Sequence, residues 1–184
     1  MLEVDESLLN GLKAMEFPRD TEEERMNRGY ERMRNYIRSH GPGDLEELAV
    51  DYADTFLAAG VAEGRAAFPY GSVYMSRKNL IGQEPCSQVT KEFIQGGVEV
   101  SSKIPKIPDD HIAAIMEFMA DLIEKGEVHR QEGFFTDHLY SWGILFAADV
   151  EKYATTDFYK GLGDVTAGFL ALEKEYLQQK GGAA

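Results

Sequence analysis

The chain has 184 residues, with 19 Lys+Arg against 32 Asp+Glu and a formal charge of −13. This length suits one domain with a real core, and 43% hydrophobic with 28% charged residues argues against wholesale disorder. So negative a chain is poorly suited to nucleic acid or to an anionic membrane surface, and it favours a basic partner.

In chain order, apolar spacing is helical almost throughout. A first helix carries Leu8, Leu9 and Leu12 and stops before Pro18. Asp20-Thr21-Glu22-Glu23-Glu24 offers a cap candidate and acidic residues at the start of a second helix, with Met26, Tyr30, Met33 and Ile37 on one face. Gly41-Pro42-Gly43 ends it, and Asp44 is placed to cap a third helix with Leu45, Leu48, Tyr52, Phe56 and Leu57, running to Gly60. Between Gly60 and Gly71 the chain is rich in Gly and Ala, and Phe68-Pro69-Tyr70-Gly71 reads as a turn. Ser72 is expected to cap a short helix through Met75 and Leu80 that closes at Gly82, and the next helix, with Val89, Phe93 and Ile94, ends at Gly96-Gly97.

Lys103-Ile104-Pro105-Lys106-Ile107-Pro108 holds two prolines, which push the residues before them toward extended backbone. It reads as a hinge, residues 103–108, between two helical halves of one domain spanning 1–184. Pro108-Asp109-Asp110 is expected to open a helix with Ile112, Ile115, Met116, Met119, Leu122 and Ile123, ending at Gly126. Phe134 to Ala148 is strongly apolar and predicts burial on more than one side. Thr155 or Thr156, then Asp157, begin a last helix with Phe158, Leu162, Val165, Phe169 and Leu172, fraying after Gln178. The fold class expected is all-α, with seven to nine helices in one domain.

The single Cys86 leaves no intramolecular disulfide, the acidic start lacks a secretory signal's features, and no apolar run approaches a bilayer span. A cytoplasmic protein without stable membrane insertion is expected.

Enzyme chemistry finds little footing. His40, His111, His129 and His138 make no HxxxH or HExxH pair, and one cysteine cannot form a CxxC site. Asp110-His111 and Asp137-His138 could join as a metal site of the phosphohydrolase kind, although a capping pair at a helix start is the plainer reading. Cys86 after Pro85 could lie near a helix amino end, but no histidine is close to it in sequence. No GxSxG elbow, P-loop or dinucleotide fingerprint occurs, and Gly161-Leu162-Gly163 sits inside a helical pattern. No catalytic residue and no metal site is expected.

Four segments stand out: Pro69-Tyr70-Gly71-Ser72-Val73-Tyr74; Pro108-Asp109-Asp110-His111 with the Ile112–Met119 stretch; His138-Leu139-Tyr140-Ser141-Trp142-Gly143-Ile144-Leu145-Phe146; and Phe158-Tyr159-Lys160-Gly161-Leu162. In this order they resemble the TorD/DmsD family of redox-enzyme maturation chaperones, over roughly residues 45 to 175. Three positions depart from the family's pattern. Ile107 stands where a Glu often precedes the Pro-x-Asp-His core, Ile144 where a proline is usual, and Phe68 for one of two prolines.

The resemblance implies an all-helical cytoplasmic chaperone that binds the twin-arginine leader, and often the body, of a molybdoenzyme catalytic subunit until its cofactor is loaded. It implies no resident cofactor, weak guanine-nucleotide binding, and a monomer or domain-swapped dimer with the hinge before Pro108 as swap point.

A twin-arginine leader joins a basic pair to an apolar stretch, so its receptor needs carboxylates beside an apolar groove. Asp109 and Asp110 near Tyr70 and Tyr74 could meet guanidinium groups, and Trp142 and Phe146, four residues apart, could line the apolar part. With Ser72, Pro108 and His111 these form the candidate peptide-binding set. Each also has an ordinary structural reading: Ser72 and the aspartates as helix-end partners, His111 as a buried hydrogen-bonding group, the aromatics as core. Two other readings stand beside this one. One is an assembly chaperone for a non-exported metalloenzyme subunit, and the other is a metal-dependent hydrolase using His111, His138 and nearby aspartates.

Overall fold

Helical periodicity is realised as nine α-helices and one π-helical stretch among residues 5–41, 45–58, 65–98 and 107–181, which the computed structural model describes. They are α1 (Glu6–Ala14), α2 (Glu24–Ser39), α3 (Leu45–Leu57), α4 (Gly71–Met75), α5 (Glu84–Gln95), α6 (Ile112–Glu124), α7 (Val128–Phe134), α8 (Ser141–Tyr153) and α9 (Asp157–Gly181). The fold is all-α, and the only pairing of extended backbone among these residues is an isolated bridge between Tyr70 and His111. The expected cap at Asp44, the stretch from Gly60 to Gly64 and the hinge residues Lys103 to Lys106 lie outside the described residues.

Two helix starts depart from expectation, because Asp109 and Asp110 are engaged elsewhere, by Thr90 and by the Ser72 N–H. Within the Asp20–Glu24 run it is Glu23 that caps α2, its carboxylate accepting the Met26 N–H at 2.7 Å. Thr21 turns instead to Asn27, whose side-chain oxygen accepts both its N–H and its hydroxyl. The helix expected to open at Pro108 begins at Ile112, capped by the His111 imidazole, which accepts the Ala113 N–H at 3.1 Å. Ser72 lies inside the first turn of α4 rather than capping it, and that helix ends at Met75, well short of Leu80. The apolar run from Phe134 is broken by π-helical winding over Phe135–Tyr140, and Leu145, expected to be buried with the rest of the run, is 54% exposed. The last helix holds to Gly181 instead of fraying at Gln178.

Contacts divide the chain into two units, Met1–Phe68 with Phe146–Leu172, and Pro69–Leu145 with Glu173–Ala184, so α8 and α9 contribute residues to both. In the first unit α2 and α9 touch backbone to backbone. A Cβ on Gly29 would lie 2.6 Å from the Gly161 carbonyl oxygen, and one on Gly161 would lie 2.6 Å from that of Gly29. Only glycine allows so close an approach.

Asp164, on the same stretch of α9, has a fully buried side chain that gathers Arg25, Arg28 and Arg32 of α2 at 2.9 to 3.1 Å. Burial pushes its carboxyl upward, but hydrogen bonds from Arg28 and Arg25 and the neighbouring guanidinium charges outweigh this and hold it below the ordinary range. Asp51 of α3, 2% exposed, ties the start of α9 by accepting the Thr155 N–H at 2.9 Å, the Thr156 N–H at 2.8 Å, and the Thr156 hydroxyl. The second unit is centred on Phe93, Phe118 and Phe134, with Arg130 over the Phe118 ring at 5.4 Å and bonded to the Glu92 carbonyl.

Candidate functional site

Two of the segments that stand out in the sequence meet in the second unit. Tyr70 and His111 both have extended backbone, the conformation that precedes a helix start, and they pair antiparallel. The Gly71 N–H donates to the Asp110 carbonyl at 3.0 Å and the Ile112 N–H to the Pro69 carbonyl at 2.9 Å. The His111 N–H donates to Pro108 at 3.0 Å, closing the turn that presents the aspartates. The Tyr70 and His111 rings stand edge to face with centroids 5.0 Å apart.

The carboxylates turn inward at this junction. Asp110, 1% exposed, accepts the Ser72 N–H through Oδ2 at 2.6 Å, while its Oδ1 is buried without a hydrogen-bond partner. Asp109, 8% exposed, accepts the Thr90 hydroxyl of α5. The Ser72 hydroxyl accepts the Gly82 N–H at 3.1 Å and so fixes the loop that leaves α4. Burial, with a smaller contribution from the Asp110 charge, pushes the Cys86 thiol upward, which favours the neutral thiol. Burial also lowers the His111 imidazole below its usual value, although Asp110 works the other way.

The third segment closes over this junction. Trp142 of α8 is 1% exposed, its indole N–H donates to the His138 carbonyl at 2.6 Å, and its ring stacks on Tyr74 at 5.8 Å and 20°. A Cβ on Gly71 would lie 2.9 Å from the indole nitrogen, so the glycine makes room for the ring. His138 lies in the π-helical stretch, a winding that is rare and frequent at functional sites. Burial lowers its imidazole below the usual value, against the opposing charges of Asp137 and Glu92.

The structure therefore brings Tyr70, Ser72, Tyr74, Pro108, Asp109, Asp110, His111 and Trp142 into one unit. Phe146 falls in the other, 4% exposed, with its ring 6.3 Å from Phe56. Tyr70 and Tyr74 are half-buried. What sequence reading missed is that this unit exposes large apolar side chains: Met75 at 44%, Leu80 at 56%, Ile81 at 45% and Leu145 at 54%. The Ser141 hydroxyl lies 3.5 Å from the Met75 sulfur and donates to the Asp137 carbonyl, and the Asp137 side chain is exposed. No periodicity in the sequence announces the π-helical winding over Phe135–Tyr140.

Among the described residues no group of three His, Cys, Asp or Glu side chains could hold a metal ion, and no helix is long and apolar enough to cross a membrane. The fold and this junction define an all-α protein of the TorD/DmsD type. Residues 20–148 match the family model described as nitrate reductase delta subunit, and the chain belongs to that family.

It is 32% identical over 140 residues to "Chaperone protein TorD" of Shewanella piezotolerans, covering 72% of this chain and 63% of the relative. It is 27% identical over 142 residues to "Chaperone protein TorD" of Vibrio vulnificus, covering 71% and 64%. A third "Chaperone protein TorD", from Shewanella sp. strain ANA-3, is 33% identical over 142 residues, covering 73% and 65%. The chain thus spans less than two thirds of the length of these relatives.

Proposed function

We propose that the protein is a cytoplasmic maturation chaperone that binds the twin-arginine leader and the body of a molybdoenzyme catalytic subunit, holding it until cofactor insertion and export. The observation that carries this reading is the bridged junction of Tyr70 and His111, with the Tyr74–Trp142 stack beside it, in a unit that also exposes Met75, Leu80, Ile81 and Leu145. A leader's apolar stretch would lie along Met75, Leu80, Ile81 and Leu145. Its guanidinium groups would meet the half-buried Tyr70 and the exposed Asp137 carboxylate. Asp109 and Asp110 would act chiefly by holding the junction in shape, because Thr90 and the Ser72 N–H already occupy one oxygen of each.

The reading asks for no resident cofactor. Nothing in the described residues supports the guanine-nucleotide binding that the resemblance implies, and it forms no part of the proposal. The oligomeric state proposed is a monomer or a dimer swapped at residues 103–108.

A second reading is an assembly chaperone for a non-exported metalloenzyme subunit, favoured by the description of the matched family as nitrate reductase delta subunit. Co-purification with the endogenous client separates the two, since an exported client carries Arg-Arg before an apolar run. Calorimetric titration with the leader of such a client tests the first reading. Binding should weaken at least tenfold when Arg-Arg becomes Lys-Lys, because lysine cannot form the forked, stacked contact. No binding to any client leader would refute it.

A further inference from the structure

The net charge of −13 conceals a cationic groove in the first unit. Between α1, the segment after it, and α2 lies a cleft of about 780 Å³ whose lining includes Lys13, Arg19, Arg34 and Arg38 against the single acid Glu16. Among the described residues none of these four cations lies within ion-pair distance of a carboxylate. The Arg34 guanidinium is held in the wall by neutral acceptors, the carbonyls of Pro18 at 2.6 Å and Phe17 at 3.5 Å, which fix its position without cancelling its charge. Leu12 and Phe17, both half-buried, give the cleft an apolar lining.

These observations define what would fit. A nucleic acid, with one phosphate per about 1.7 Å of duplex, would run past these four cations onto the acidic remainder of the chain, which a short acidic segment need not do, and a wholly apolar segment would leave the guanidinium and ammonium groups without partners. A carboxylate-bearing segment with an apolar side chain satisfies both the cations and the lining. We propose that the α1–α2 groove binds an acidic, apolar-anchored peptide segment of a partner protein. This site is separate from the junction at Tyr70 and His111 and does not depend on leader recognition there.

A fluorescein-labelled dodecapeptide in which glutamates flank each leucine, and its glutamine–leucine counterpart, test the proposal by anisotropy against the full chain. The acidic peptide should bind at least tenfold more tightly than the neutral one. It should weaken at least tenfold between 50 and 300 mM NaCl, and at least tenfold in a Lys13→Gln/Arg19→Gln/Arg38→Gln variant. Those three side chains are exposed, so the variant should keep its circular dichroism and melting temperature.

Equal binding of the two peptides, or undiminished binding by the variant, overturns the proposal. So does displacement by tripolyphosphate at concentrations matching the peptide's, which would mark a small-anion site. Self-association of the wild type that the variant abolishes would assign the groove to a second copy and overturn it as well.

Discussion

Replacing Asp110 with alanine separates the internal role of this carboxylate from any contact with a peptide. The substitution leaves the Ser72 N–H, in a residue with no exposed surface, without the acceptor that it meets at 2.6 Å. A hydrogen bond to a charged group contributes about 1.5–3 kcal/mol, and a stranded buried donor costs about 1–3 kcal/mol. Against this, removing Oδ1 relieves the cost of a buried oxygen that has no partner. The main-chain bonds from Gly71 to Asp110 and from Ile112 to Pro69 survive, so the junction should loosen without falling apart.

The net loss should therefore be about 1–3 kcal/mol, which for a chain of this size lowers the melting temperature by about 2–12 °C. Trp142 is the only tryptophan and stacks on Tyr74, two residues beyond Ser72 in α4, so its emission reports the same event by shifting to the red. Asp110→Asn keeps one oxygen acceptor and should recover at least half of the lost stability. An Asp110→Ala protein with unchanged melting temperature and unchanged Trp142 emission would refute the internal role. An Asp110→Asn protein as stable as wild type but unable to bind leader would instead make this carboxylate a direct peptide contact.

Gly29→Ala should destabilise the protein by about 1–3 kcal/mol, because the new Cβ meets the backbone of α9, which cannot rotate aside, whereas Gly11→Ala, open on all sides in α1, should be neutral or stabilising by up to about 1 kcal/mol. Urea unfolding of the two variants checks the opposite signs. Acid should weaken the protein through His111 and His138. Burial lowers both imidazoles below 6.5 in the folded state, so the unfolded chain takes up protons first; this contribution to stability is whole above pH 6.5 and is lost as pH falls below that value. Melting temperatures between pH 7.5 and 5.0 should fall less in His111→Asn, which retains a helix-capping acceptor, and an equal fall would assign the pH dependence elsewhere.

Helix existence was legible because it rests on local patterns. Leu9, Met33, Leu48, Phe93, Ile115, Leu122 and Phe158 recur at helical spacing and all are buried, whereas Leu162, Val165, Phe169 and Leu172, read on the same face of the last helix, are only half-buried. Glycines were partly legible: Gly97 and Gly126 take positive φ at the predicted helix ends, whereas Gly82 takes it in a turn well past Met75, where α4 stops. Caps were not, because the residue that reaches an N–H group depends on side-chain length and on distant partners. Asp51, 104 and 105 residues from the N–H groups it accepts, has no local sequence signature. The π-helical turn was equally hidden, since Phe135–Tyr140 reads as ordinary apolar helix until packing fixes an extra residue per turn.

The candidate site shows why charge counting alone misleads. Asp109 and Asp110 satisfy every residue-level criterion for meeting an arginine, yet one is 8% and the other 1% exposed, and each already accepts a hydrogen bond within the fold. A guanidinium group entering from solvent would have to compete with the Ser72 N–H for an acceptor already held at 2.6 Å. Asp137 carries the same charge without that competition, being exposed in the π-helical stretch one turn before Ser141. Asp137→Asn should therefore weaken leader binding while leaving stability unchanged, the reverse of the pattern expected for Asp110→Ala. Calorimetry with the leader and thermal melts on the two variants separate the roles, and loss of binding confined to Asp110→Asn would reverse the assignment.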